Sequence, residues 1–173
     1  MRWEALFADM EAQLAAGRLA DVRADVAELA RAERSSVTLV ARARASIGRP
    51  VRVLVATDAI EGELVDAAPQ WLLVATSPVR RALVPVAAVA GIVGLAPHAA
   101  PATGAVESRL GLGHALRALA RDRVAVRVRA RDGDLTGRIE RVGADHLDLA
   151  DLGGAGRGTW AVPFASLRTV QTG

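Results

Sequence analysis

The stretch VAVRVRARDGDLTGRIERVGADHLDLA, Val124 to Ala150, decides how this chain folds. Val124, Val126 and Val128 alternate with Arg127, Arg129 and Arg131, a period of two that places valine on one face of a strand and arginine on the other. A turn at Asp132 and Gly133 follows, then Gly137 and Ile139, a turn at Gly143 and Ala144, and finally Leu147 and Leu149. The same order occurs earlier in the chain, as Val51, Val53 and Val55, a turn with Asp58, Gly62 and Leu64, a turn at Pro69, and the apolar run Trp71 to Val74. Gly62 to Leu72 and Gly137 to Leu147 are equally spaced, and the segments close on VPVAAVAGI (Val84 to Ile92) and VPFASLRTV (Val162 to Val170). Matched segments that differ in length only at turns are an internal duplication.

An amphipathic helical stretch precedes each segment, ending near Ile47 in the first and running from Leu110 to Ala120 in the second. Between the repeats lies LAPHAAPATGAVES, Leu95 to Ser108, rich in Ala and Pro, which reads as a semi-extended linker. At the N-terminus Trp3, Phe7, Met10 and Leu14 mark one face of a helix that Gly17 can end. Val22, Val26, Leu29, Val37, Val40 and Ile47 continue the spacing, as a second helix or a long kinked one. Packing of the first face on the Val22 to Leu29 face is expected, within one chain or between two copies in a homodimer. The expected division is a helical arm (1–34), a first helix plus small barrel (35–95), an Ala/Pro linker (96–108) and a second helix plus small barrel (109–173).

A helix followed by five short, bent antiparallel strands resembles the Sm-like small β-barrels of the wider SH3-like group. The alternating valines, the Gly62-x-Leu64 and Gly137-x-Ile139 steps and the closing Val-Pro segments carry the resemblance over most of residues 35–171. It implies an α+β protein with two tandem helix-plus-five-strand barrels. Sm-like RNA binders hold a base with an Asn near the end of the third strand and an Arg-Gly step between the fourth and fifth. This chain has no Asn, and neither closing segment contains Arg-Gly. The whole chain also resembles short actinobacterial proteins labelled Fis-type transcriptional regulators, although a Fis-like protein would end in a helix-turn-helix and this one ends in strands.

All 22 basic residues are arginine, and with 19 acids the net charge is only +3. The absence of Lys and Asn beside abundant Ala, Arg, Val and Gly is the codon bias of a GC-rich genome, so arginine count alone is poor evidence for nucleic acid. Zero cysteines exclude disulfides, cysteine-ligated metal and thiol catalysis and suit a reducing compartment; cytoplasm is the expected location. The opening MRWEALFADMEAQL lacks the basic and apolar regions of a signal peptide, and Leu83 to Leu95 is too short to span a bilayer; no membrane contact is expected.

His98, His114 and His146 have no metal-ligand spacing, no serine sits in a nucleophile elbow, and Gly111-x-Gly113 has no strand before it. The expectation is a non-enzymatic protein with no metal, cofactor or small-molecule substrate. The glycine-rich loop Gly153 to Gly158 could cradle a phosphate beside Arg157 or simply serve as a long hairpin. Arg121, Arg123, Arg127, Arg129 and Arg131 form a basic stripe, whereas the first repeat has Arg52, Leu54 and Ala56 at the outward positions that match Arg127, Arg129 and Arg131. Two readings follow. In one, the stripe and Arg157 bind RNA or DNA through phosphate with weak sequence selectivity, in a regulatory role. In the other, the arginines are a solvated face neutralised by Asp132, Asp134 and their neighbours, and the chain is a protein-interaction or oligomerising scaffold using Trp3, Phe7, Met10, Leu14, Leu54 and an exposed Trp71.

Overall fold

A computed structural model describes residues 2–101, 111–152 and 158–172. The chain divides into a helical unit, Met1–Val37, and a β-rich unit, Thr38–Gly173. The helical unit is one α-helix, α1 (Arg2–Ser36), which runs unbroken through Gly17. A glycine inside a helix costs only about 1 kcal/mol relative to alanine, and the Ala-, Leu-, Arg- and Glu-rich flanks outweigh it. Because α1 does not turn back, its N-terminal apolar face cannot fold onto Val22–Leu29 within the chain, contrary to one of the two expected packings. Met10, Leu14, Val22, Val26 and Leu29 are all exposed. The side chains of Trp3 and Phe7 lie outside the described residues.

The β-rich unit begins with α2 (Leu39–Arg44), capped by the Thr38 hydroxyl, which accepts from Ala41 N at 3.1 Å. Five strands follow: β1 (Pro50–Val55), β2 (Asp58–Ala68), β3 (Trp71–Ala75), β4 (Arg81–Pro85) and β5 (Val89–Val93). After α3 (Leu112–Arg121) come β6 (Ala125–Ala130), β7 (Gly133–Val142), β8 (His146–Asp151), β9 (Thr159–Pro163) and β10 (Leu167–Thr172). The duplication extends to the register. Val51 pairs with Gly62 as Val126 pairs with Gly137, and bulges recur between Leu64 and Asp66 and between Ile139 and Arg141.

The two expected barrels are not formed. All ten strands join one open antiparallel sheet in the order β5-β1-β2-β3-β4-β10-β6-β7-β8-β9. The joint is β4 against β10, with Val170 opposite Leu83, Gln171 opposite Ala82 and Thr172 opposite Arg81. An edge strand exposes a row of unpaired amide and carbonyl groups. Here the last strand of the second repeat satisfies those of β4, so the repeats merge instead of closing separately.

Two apolar clusters line this sheet. One gathers Val51, Val53, Leu64, Leu72, Val74 and Val84 under α2 residue Ala43. The other gathers Val126, Val128, Ile139, Leu147, Leu149 and Val170 with Leu112 and Leu116 of α3, and it recruits Ala68, Trp71 and Leu83 from the first repeat. Val124, expected in that core, is exposed just ahead of β6. Trp71, expected on the surface, is only 7% exposed. The run Trp71–Val74 is explained by this arrangement: Leu72 and Val74 face one cluster, Trp71 and Leu73 the other, and a strand covered on both sides loses its polar alternation.

Polar contacts tie the repeats and their connection together. The Gln70 side-chain carbonyl accepts from Leu112 N at 2.8 Å, capping α3 from the opposite repeat. The expected linker starts as ordered structure: buried Ser46 Oγ donates to Arg42 O and accepts from Ala96 N, and Arg42 Nε donates to Ala96 O. Residues 102–108 of the linker lie outside the described residues.

Candidate nucleic-acid interface

The arginine row on β6 points outward, as the alternation requires, but carboxylates occupy most of it. Asp134 sits across the β6–β7 hairpin, with Oδ2 2.5 Å from Arg127 Nη2 and Oδ1 3.6 Å from Arg129 Nε. Arg129 also holds Asp58 of the first repeat, Nη1 to Oδ2 at 3.0 Å, and its side chain is 30% exposed. Exposed pairs of this kind are each worth only about 0–1 kcal/mol, yet a phosphate reaching Arg127 or Arg129 must compete with them and meets the repulsion of Asp134. Arg131, by contrast, is exposed and beside Arg168 lines a cleft of about 210 Å³ that also contains Asp58 and Asp134.

A second, less neutralised group lies at the other end of the same strands. α3 ends at Arg121, Arg123 precedes β6 with φ of 51°, and Arg138 stands on β7 opposite Ala125. Together with Ala120, Ile139 and Glu140 they line an open cleft of about 620 Å³, three guanidinium groups against one carboxylate. Arg121, Arg123 and Arg138 have no ion-pair partner among the described residues. Arg117, one helical turn before Arg121, lines the adjoining hollow with His114 and Arg141. The geometry thus brings Arg121 and Arg123 of the expected stripe together with Arg138, which the row on β6 does not reveal, and separates them from the ion-paired Arg127 and Arg129. The signal for Arg138 is the alternation of β7, where Gly137 and Ile139 are buried and Arg138 between them is exposed.

The remaining candidates fall elsewhere. Leu54 is exposed on β1 as expected, between Ala59 of β2 and Gly91 of β5. Arg157 and most of the glycine-rich loop lie outside the described residues. His146 is half-buried, with Nδ1 2.8 Å from Asp145 and Nε2 3.9 Å from Asp148. The His146 hydrogen bond holds the exposed Asp145 carboxyl below the ordinary carboxylate value. Asp148 is tied in turn to Arg141 Nε at 2.8 Å. Among the described residues no three His, Asp or Glu side chains are grouped to hold a metal ion, and no helix is long and apolar enough to cross a membrane. Compared with known proteins, the chain matches no family model and no curated sequence.

Proposed function

We propose that this is a non-enzymatic nucleic-acid-binding protein that holds the phosphate backbone of RNA or DNA in the cleft formed by Arg121, Arg123 and Arg138. The observation that carries this reading is the convergence of three arginines without ion-pair partners from α3, the segment before β6, and β7 on one open cleft. A guanidinium offers a planar fork of donors suited to phosphate oxygens, and one free of a carboxylate breaks no ion pair to make that contact. Among the described residues no aromatic side chain lines the cleft, and recognition is by charge and shape with weak base selectivity. The lack of cysteine suits a reducing compartment, and we place the activity in the cytoplasm.

Changing Arg121, Arg123 and Arg138 together to Gln is expected to weaken binding about equally for unrelated sequences. Each lost phosphate contact should lower the log–log salt slope by about 0.7 for single strands and about 0.9 for duplex. The matched triple variant at Arg127, Arg129 and Arg131 should lose far less, because two of those three are already paired with carboxylates. Fluorescence anisotropy with labelled single- and double-stranded oligonucleotides over a salt series reads both. Absence of binding by the wild type at low salt would end the proposal, and a larger loss in the second triple variant would return the site to the β6 row.

A further inference from the structure

The two repeats build the same bulge from different residues. In the second, β10 runs from Leu167 opposite Ala130 to Thr169 opposite Arg129, and Arg168 is the extra residue between them. In the first, β5 runs from Val89 opposite Val55 to Gly91 opposite Leu54, and Ala90 is the extra residue. The duplication therefore aligns Arg168 and Thr169 with Ala90 and Gly91, and Arg131 with Ala56. Since Ala and Gly are enough to form this bulge in the first repeat, the polar residues of the second are not there to make the fold.

Those three residues meet in one place. Arg131, Arg168 and Thr169 line the cleft of about 210 Å³ between the β1–β2 and β6–β7 hairpins. The two carboxylates of the cleft, Asp58 and Asp134, are both held by Arg129. Arg131 and Arg168 have no ion-pair partner among the described residues, which leaves their charge unbalanced. Thr169 is 1% exposed, and among the described residues its hydroxyl is the only buried side-chain polar atom without a hydrogen-bond partner. An orphaned hydroxyl lowers stability, and the first repeat avoids that cost with Gly91. Val55, Ile60 and Ala130 give the cleft apolar walls.

We infer that this cleft binds a small aliphatic carboxylate. Its carboxyl group lies between Arg131 and Arg168 and accepts from the Thr169 hydroxyl, and its hydrocarbon part covers Val55 and Ile60. The guanidinium fork matches a carboxylate, and the bound anion supplies both the missing charge and the missing acceptor. Inorganic phosphate fits less well, because its second negative charge faces Asp58 and Asp134 and it has no hydrocarbon for the apolar walls. The site is separate from the Arg121, Arg123 and Arg138 cleft, and the inference does not rest on nucleic-acid binding there.

Butyrate is the probe, titrated into the full chain at constant ionic strength and followed by amide chemical shifts. Saturable shifts confined to residues 55–60, 129–134 and 168–170 are expected in the millimolar range, with butyramide and inorganic phosphate both binding more weakly. Arg131→Gln and Arg168→Gln should each weaken butyrate binding by about tenfold, as removal of a charge-assisted hydrogen bond does. Thr169→Val keeps the shape and removes the hydroxyl, so it should raise the thermal midpoint of the ligand-free protein while weakening butyrate binding. Shifts that do not saturate, Gln variants that bind like the wild type, phosphate binding more tightly than butyrate, or a lowered midpoint in Thr169→Val would each overturn the inference. Should a Gln variant lose its folded circular dichroism, the wild type decides through butyramide, which supports the inference by failing to compete with butyrate and overturns it by binding equally well.

Discussion

Trp71→Ala is expected to destabilise the β-rich unit by about 3–5 kcal/mol, the range for removing a buried large aromatic side chain. The indole is 7% exposed and belongs to the cluster built around Leu112, Leu116, Val126 and Val170, although Trp71 itself comes from the first repeat. Its loss leaves a cavity at the joint, where β4 and β10 are held by few register positions and cannot easily close around the space. Urea unfolding followed by far-ultraviolet circular dichroism should show a lower midpoint. Because Trp71 links the repeats, the variant should also separate a single transition into two as the joint weakens before the individual repeats. A loss below about 1 kcal/mol, typical of a surface substitution, would mean that the second repeat does not pack on Trp71.

Gly137→Ala is expected to cost at least the upper end of the range of about 1–3 kcal/mol for overpacking. A Cβ on Gly137 would stand 2.2 Å from the Ala150 carbonyl oxygen and 2.7 Å from Leu149 Cγ. The first of these neighbours is backbone in a hydrogen-bonded strand, so it cannot rotate aside. Gly62 stands in the same relation to Ala75, with a Cβ 2.1 Å from that carbonyl oxygen, and Gly62→Ala should lose a similar amount. Gly133→Ala is the control, since nothing lies within 4 Å of its Cβ position. That variant is expected to be neutral, or stabilised by up to about 1 kcal/mol through the lower entropy of its unfolded chain. Equal midpoints for Gly137→Ala and Gly133→Ala in thermal or urea unfolding would contradict the close strand approach at Gly137.

These predictions divide according to what local pattern carries. Alternation at Val51–Val55 and at Val126–Val128 marks inward and outward faces without reference to the rest of the chain, because side-chain direction along a strand depends only on the backbone pleat. The equal spacing carries that reading from one repeat to the other, and the structure shows the same match in the register, Val51 with Gly62 and Val126 with Gly137. A sign of the joint is also present in the sequence. Trp71 and Leu73 of the first repeat answer to His146 and Asp148 of the second, an apolar pair where the copy is polar. Only a surface covered in one repeat and wet in the other requires that difference.

The arginines mark the limit of local pattern. Strand period places Arg127, Arg129 and Arg138 on the outside, yet the partner that occupies Arg129 is Asp58, brought to it from the other repeat. Arg138 gains its place in a site from the end of α3 and the turn at Arg123, whose positions depend on how the helix docks.

The strand faces and the duplication are legible in the sequence, because each depends on short-range geometry repeated along the chain. That the ten strands form one open sheet, that Trp71 is core, that Gly62 and Gly137 lie close against Ala75 and Ala150, and that Arg121, Arg123 and Arg138 share a cleft all depend on how the strands and α3 pack. The reason is that an edge strand's hydrogen-bonding groups are the same whichever strand they meet. The choice of β10 as the partner of β4 is set by which apolar surfaces, Leu83, Val170 and Trp71 among them, leave water together when the repeats join.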